Sequence, residues 1–287
     1  MDIISVIVCT YNQENTLPRT LDAIISQKCE WQFEVIIGED ASTDNTRKIC
    51  EEYVKRFPDV VYLMPAAPNK GVVENYADCI RKAKGKYVME CGGDDEWCPG
   101  RMQLCLETIE RYPNVNQVFT RIYYRNDKTG EITEPTNNLF PFGFLRGKDV
   151  IKGMMRQKSS QHISYAITRR SAIIDVMEKY PTFFAGKRYL TEDKQLIVLL
   201  ATIGDFMYIH DRTYYYTIDT NSITRGNIRK HIRYNVNMLR LNHDLAKAIG
   251  YSGSLLPEYL HTIYVVCRLI MWRVLVKIFP FIHNIRH

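Results

Sequence analysis

Cys91-Gly92-Gly93-Asp94-Asp95-Glu96-Trp97 follows the apolar run Tyr87-Val88-Met89 and precedes Pro99. The apolar run reads as a buried strand, the glycines and paired acids as the turn leaving its carboxyl end, and the proline as the opening of a helix. Two adjacent carboxylates in such a turn form a compact pocket for a hard cation and its ligand. In open α/β sheets ligands bind outside the carboxyl ends of the strands, so the turns leaving the other strands should converge on the same place.

Upstream, the nearly continuous β-branched run 3–9 reads as a strand buried on both faces of a parallel sheet. Thr10-Tyr11-Asn12 breaks it, and Leu17, Leu21, Ile24 and Ile25 recur at helical spacing. Strands over 33–37 and 60–63 follow, separated by a helix that Ser42 or Asp44 caps. A helix over 75–82, capped by Gly85, leads to the strand 86–90 and the acidic turn. The next helix begins at Pro99 and stops at Tyr112-Pro113. This alternation predicts an α/β fold with a Rossmann-like mixed sheet flanked by helices.

Downstream the pattern is less regular. Short strands are expected at 118–120, 122–124, 163–167, 207–209 and 214–216, a hairpin turn at 127–130, and a helix over 149–155. The aromatic-bearing loop 135–147 is a candidate lid on the acceptor side. Thr191-Glu192-Asp193 opens an apolar helix, with Thr191 as N-cap. From Asn227 the chain reads as helices. The apolar stretch 259–282 carries Arg268, Arg273 and Lys277, which argue against an ordinary spanning helix.

The chain has 287 residues, 46% hydrophobic and 24% charged, which excludes a disordered or fibrous protein. A net charge of +6 favours an anionic ligand or a membrane surface without calling for nucleic acid. The eight cysteines form no CxxC pair and no zinc-spaced cluster, as expected of reduced thiols. The amino terminus lacks the basic flank and long apolar run of a secretory signal, so a cytoplasmic protein is expected.

Thr10-Tyr11-Asn12, Glu39-Asp40-Ala41-Ser42-Thr43-Asp44, Asn69-Lys70-Gly71-Val72 and Gly93-Asp94-Asp95-Glu96-Trp97, in this order at successive strand ends, resemble the family 2 glycosyltransferases of GT-A fold, over roughly residues 3–225. The resemblance implies an inverting, metal-dependent transferase. It would move a sugar from a nucleotide donor, commonly a UDP-sugar, to a saccharide or lipid-linked acceptor in bacterial surface-polysaccharide synthesis. It divides the chain into a GT-A domain over 1–225, with a nucleotide-sugar half to 115 and an acceptor half from 116, and a helical C-terminal extension over 226–287.

Asp94 is the expected ligand of Mn²⁺ or Mg²⁺, with the donor diphosphate completing the shell. Thr10, Tyr11, Asn12, Asp40, Lys70, Gly93 and Asp95 line the donor pocket, and Asp40 matches the family position contacting the base. Gly92 stands where the family has its first carboxylate, which bears on the ribose contact and not on the metal contact. Asp193 matches the general base, a carboxylate that takes the acceptor proton during attack. Asp219 stands where the family often has a histidine.

Each assignment has a plainer structural counterpart. The acids can cap helices, Lys70 and Arg101 can be solvated cations, Trp97 is expected to pack over the acidic turn, and His162 is expected to be structural. Two other readings stay open: a sugar nucleotidyltransferase, whose glycine-rich basic first loop is missing here, and a catalytically silent nucleotide-sugar-binding or scaffold protein. The tail either binds a membrane peripherally, or covers the acceptor region or forms a dimer.

Overall fold

The computed structural model describes residues 3–135, 140–156, 162–218, 228–256, 259–260, 262–268 and 271. Strand β1 (Ile3–Thr10) leads to α1 (Leu17–Ile25), β2 (Gln32–Glu39), α2 (Thr46–Arg56), β3 (Val61–Leu63), α3 (Val72–Lys82) and β4 (Tyr87–Gly92). Next come β5 (Glu96–Trp97), α4 (Arg101–Arg111), β6 (Val115–Asn126), β7 (Ile132–Thr133), β8 (Gly143–Leu145) and α5 (Gly147–Met155). Then follow β9 (Ala166–Arg169), α6 (Arg170–Lys179), α7 (Asp193–Leu200), β10 (Asp205–Ile218) and α8 (Ile228–Ile249).

The strands form one mixed sheet in the order β3-β2-β1-β4-β9-β6-β10-β5, with β7 on β6 and β8 on β10. β3, β2, β1 and β4 are parallel, and β9 runs antiparallel between β4 and β6. The β-branched run of β1 is buried as its sequence requires: Ile4, Val6, Ile7 and Val8 have no exposed surface. The strand order turns back at β1, with β2 on one side and β4 on the other. Such a switch point opens a crevice at the carboxyl edge. In register, Cys9 pairs with both Gly38 and Gly92, and Thr10 pairs with Glu39. The three loops therefore leave the sheet side by side.

Several elements differ from the sequence expectation. The two strands expected at 118–120 and 122–124 are one, because Arg121 interrupts the apolar run without interrupting the backbone ladder. The two expected around 207–216 are also one strand. Its register shifts between Tyr208 and Arg212, where polar His210 and Asp211 bulge outward, and that break in alternation hid the continuity. Residues 163–165 form a single 3₁₀ turn before β9. Gly85 does not cap α3, which ends at Lys82; a Cβ there would stand 2.5 Å from the Ser5 amide nitrogen, so glycine permits the backbone to pass against β1. Within 140–147 the chain contains β8 and packs Phe140, leaving Phe144 exposed. Asp219 lies outside the described residues.

Candidate active site

The acidic turn is locked from beneath. The Asp95 N–H closes it onto the Gly92 carbonyl at 3.0 Å. Asp95 is buried, and its carboxylate accepts the Tyr214 hydroxyl at 2.6 Å and the Thr217 N–H at 2.7 Å, both from β10. Backbone carbonyls of the turn are held as well: Thr16 donates to Gly93 at 3.0 Å, Arg19 to Asp94 at 3.0 Å and Thr20 to Asp95 at 2.6 Å. Gly93 has no room for a side chain, since a Cβ would stand 2.3 Å from Gln13 Oε1 and 2.8 Å from Thr10 Oγ1. The turn is thus pinned to the β1 loop, with the half-buried Asp94 at its crest.

Asp40 extends the same floor from β2. Its carboxylate accepts the N–H of Lys70 at 2.6 Å and of Gly71 at 2.9 Å, and its own N–H donates to the Thr10 carbonyl at 3.1 Å. Both oxygens are engaged by the 69–71 segment, and each retains one lone pair. Asn12, at φ +53°, accepts the Thr43 N–H at 2.8 Å while its own N–H donates to Ser42 Oγ at 3.0 Å, tying the first two loops together. Thr10 is buried against Gln13, whereas Tyr11 is half exposed over the crevice. Lys70 reaches away to Asp78 at 2.6 Å. Asp44 accepts the N–H of Thr46 at 2.9 Å, the first residue of α2, which is the capping role expected of it.

Arg101 is not a ligand-facing cation. It is fully buried, donating to Thr120 at 2.8 Å, to Thr213, and to the Ser164 carbonyl at 2.9 Å, with its guanidinium over Trp97 and Tyr214. It ties the start of α4 to β6, β10 and the 3₁₀ turn. Trp97 is packed beneath the acidic turn, 2% exposed.

On the other side, Asp193 begins α7 and is engaged by three donors. Its Oδ1 accepts the Ile163 N–H at 2.8 Å; its Oδ2 takes His162 Nδ1–H at 3.0 Å and the Thr191 hydroxyl at 3.2 Å. Thr191 Oγ1 also accepts the Asp193 N–H at 3.2 Å. Burial alone would raise the Asp193 carboxyl, but the facing imidazole and these donors hold it below the usual carboxylate range. Burial alone would lower His162, but the Asp193 carboxylate raises it above the ordinary histidine value. The His162 side chain is 35% exposed. The Tyr216 ring lies 5.5 Å from that of His162, and burial with the nearby Asp95, Asp94 and Asp193 carboxylates pushes its hydroxyl well up.

Behind this pair lies a second acid pair that the sequence reading passed over. Glu90 of β4 is buried and lies within electrostatic reach of Glu192. Burial pushes Glu90 well up and, with the neighbouring Asp193, pushes Glu192 up to about 8. Both carboxyls therefore hold their protons more tightly than exposed acids do. The available signal was an acid in mid-strand between Met89 and Cys91. His162 was read as structural, and the structure joins it to Asp193 across 31 residues.

Among the described residues no three His, Cys, Asp or Glu side chains converge to hold a metal. Asp95 is committed to Tyr214 and Thr217, and Asp94 is the turn's other carboxylate; a hard ion held there would take most of its oxygen shell from diphosphate and water. That donor set fits Mg²⁺ or Mn²⁺, which are habitually bound through one or two carboxylates plus substrate phosphates.

This architecture is shared with solved GT-A enzymes. The S. aureus TarS 1–349 structure with UDP-GlcNAc superposes with a TM-score of 0.61 at 16% identity, covering 94% of this chain and 72% of that one. GalNAc-T7 with UDP, GalNAc and Mn²⁺ superposes with a TM-score of 0.60 at 14% identity, covering 82% and 47%. The class is a GT-A nucleotide-sugar fold. Residues 5–193 match the profile of Glycosyl transferase family 2, and the chain belongs to that family. Bacillus subtilis EpsE, a putative glycosyltransferase, is 32% identical over 117 residues, 41% of this chain and 42% of that protein. The matched stretches span 36 to 42% of the first curated relatives. No helix among the described residues is long and apolar enough to cross a membrane.

Proposed function

We propose that this chain is an inverting, metal-dependent glycosyltransferase acting on a UDP-sugar donor and a saccharide or lipid-linked acceptor in bacterial surface-polysaccharide synthesis. The observation that supports the reading is the register of Thr10, Glu39 and Gly92, which sends the loops carrying Asp40 and Asp94 out of the sheet side by side, together with the His162–Asp193 contact. The UDP-GlcNAc and UDP complexes of TarS support the choice of base, and the Mn²⁺ in GalNAc-T7 supports the metal.

Asp40 with Thr10, Tyr11 and Asn12 frames the base and ribose, the Lys70–Gly71 segment held by Asp40 forms the far wall, and Gly93 permits close approach of the backbone. Asp94, supported by Asp95, holds the divalent cation, which stabilises negative charge on the departing diphosphate when bound. The acceptor hydroxyl loses its proton to Asp193 coupled with His162. With His162 neutral and its Nδ1–H on Oδ2, Asp193 takes the proton and ends as the carboxylic acid; an imidazolium at the same place would hold the carboxylate less basic. Attack from that face, opposite the diphosphate, inverts the anomeric carbon.

The exposed apolar side chains Leu256, Leu260, Ile263, Tyr264 and Met271 support peripheral contact of the C-terminal helices with the cytoplasmic face of a membrane. Equal pelleting of full-length and tail-truncated protein with liposomes would contradict that contact. The functional test is donor turnover: Asp94→Ala abolishes both transfer and metal-dependent UDP binding, whereas Asp193→Ala abolishes transfer with UDP binding intact. UDP release at an undiminished rate in Asp193→Ala overturns the base assignment.

A further inference from the structure

Between the 187–190 segment and α8 lies a cleft of about 420 Å³ whose lining combines the cations Lys187, Arg188, Arg229, Arg233 and Arg240 with Asn237 and the apolar Leu190, Ile232 and Val236. On α8 the arginines recur at 229, 233 and 240, on the face that also carries Asn237. Like charges three or four residues apart on a helix destabilise it, so this stripe works against α8 unless an anion offsets it. Among the described residues, the acid beside this stripe is Asp244, which pairs with Arg188 at 2.6 Å. Among the described residues Arg229, Arg233 and Arg240 have no carboxylate partner.

The wall is built rather than loose. Asn237 accepts the Leu190 N–H at 3.0 Å and donates to the Arg188 carbonyl at 2.8 Å, and Tyr189 donates to Asp244 at 2.7 Å. The cleft also sits where substrates meet. Lys187 donates to Asn69 at 2.8 Å, beside the segment that Asp40 holds, and Leu190 is three residues from Asp193. Tyr234, one residue past Arg233, lies within electrostatic reach of Asp193.

We propose that this cleft binds the phosphate groups of a phosphodiester-bearing acceptor strand, delivering the strand's hydroxyl toward Asp193; the proposal rests on the glycosyltransferase reading above. Guanidinium forks match phosphate oxygens bidentately, and a row of them suits repeated phosphates better than one carboxylate. A concave cleft walled by two segments fits a strand, whereas a flat bilayer surface would reach its rim alone.

The test uses the full chain and a soluble poly(glycerol phosphate) oligomer, with binding followed by fluorescence anisotropy at two salt concentrations. The wild type binds in a salt-dependent way. Arg233→Glu/Arg240→Glu weakens binding at least tenfold, whereas Arg233→Lys/Arg240→Lys, which keeps the charge and loses the fork, falls between it and the wild type; both positions are exposed on α8, so the fold tolerates the changes. The UDP-dependent melting shift reads the donor site separately and persists in the Glu variant. No binding by the wild type, equal binding by the Glu variant, or equal binding of a single-stranded oligonucleotide overturns the proposal. So does loss of the UDP shift in the Glu variant, which would assign the cleft to the donor diphosphate, or binding confined to phosphatidylglycerol vesicles. Oligomer binding that responds to the Glu variant in a protein showing no UDP shift at all would uphold the cleft and refute the glycosyltransferase reading instead.

Discussion

The coupled base makes a quantitative prediction about pH. His162 is faced by Asp193 and Glu192 at the start of α7, by Asp95 from the acidic turn, and by Tyr165 and Tyr216. The acids raise its proton affinity above the ordinary value of 6.5. The competent form has His162 neutral and Asp193 ionised, so kcat/KM rises with pH through the raised histidine value and levels off above it. One pH unit below that value about a tenth of the enzyme is competent. Asp193 alone, held below 3.8, would leave the same range flat.

His162→Asn keeps an amide N–H for Asp193 but has no titration. It removes the limb and slows turnover by about 10²–10⁴-fold, the usual weight of a positioned base. The assay is UDP release from UDP-sugar with water as acceptor, over about pH 5–8.5, which spans the range where a histidine titrates. A flat wild-type profile, or a His162→Asn enzyme with the wild-type rate and limb, refutes the coupling.

Glu90→Gln removes one of the two buried acids while keeping a donor for Glu192. Because the folded-state value of Glu192 is raised from 4.5 to about 8, wild-type stability falls as pH rises between those values, and the variant's melting temperature falls less steeply over the same span. Parallel melting curves across that window would contradict the raised proton affinity of this acid pair. Gly93→Ala places a Cβ 2.3 Å from Gln13 Oε1 and 2.8 Å from Thr10 Oγ1, so the Gln13–Thr10 hydrogen bond and the acidic turn above it must rearrange. UDP affinity then falls by about tenfold or more while the far-UV spectrum is retained, an outcome equivalent to losing one charge-assisted contact. Unchanged UDP affinity on titration calorimetry would show that the turn does not need that approach.

The parallel half of the sheet was legible because its strands are uninterrupted β-branched runs and its helices follow at a constant period. Where strands carry charges outward or bulge, as at Arg121 and at His210-Asp211, the alternation breaks and one strand reads as two. Asp40, Asp94 and Asp193 were legible as candidates because they sit just past strand ends or at a helix start. What periodicity cannot carry is pairing across the fold. Tyr214 and Thr217 lock Asp95 from more than a hundred residues away, His162 meets Asp193 from a different segment, and Arg101 turns inward to Thr120 and Thr213 although its neighbours in sequence suggest a loop. Glu90 shows the reverse case: its oddity was visible in the strand, but its meaning required Glu192 beside it.

In the proposed mechanism Asp94 presents a divalent cation to the diphosphate of a sugar nucleotide. Thermal denaturation of the wild type and Asp94→Ala with UDP, with and without Mn²⁺, measures that role. The expected result is a melting-temperature increase that requires both UDP and Mn²⁺ and that Asp94→Ala abolishes. Unchanged melting of the wild type across UDP-, GDP- and dTDP-sugars with either Mn²⁺ or Mg²⁺ would contradict it.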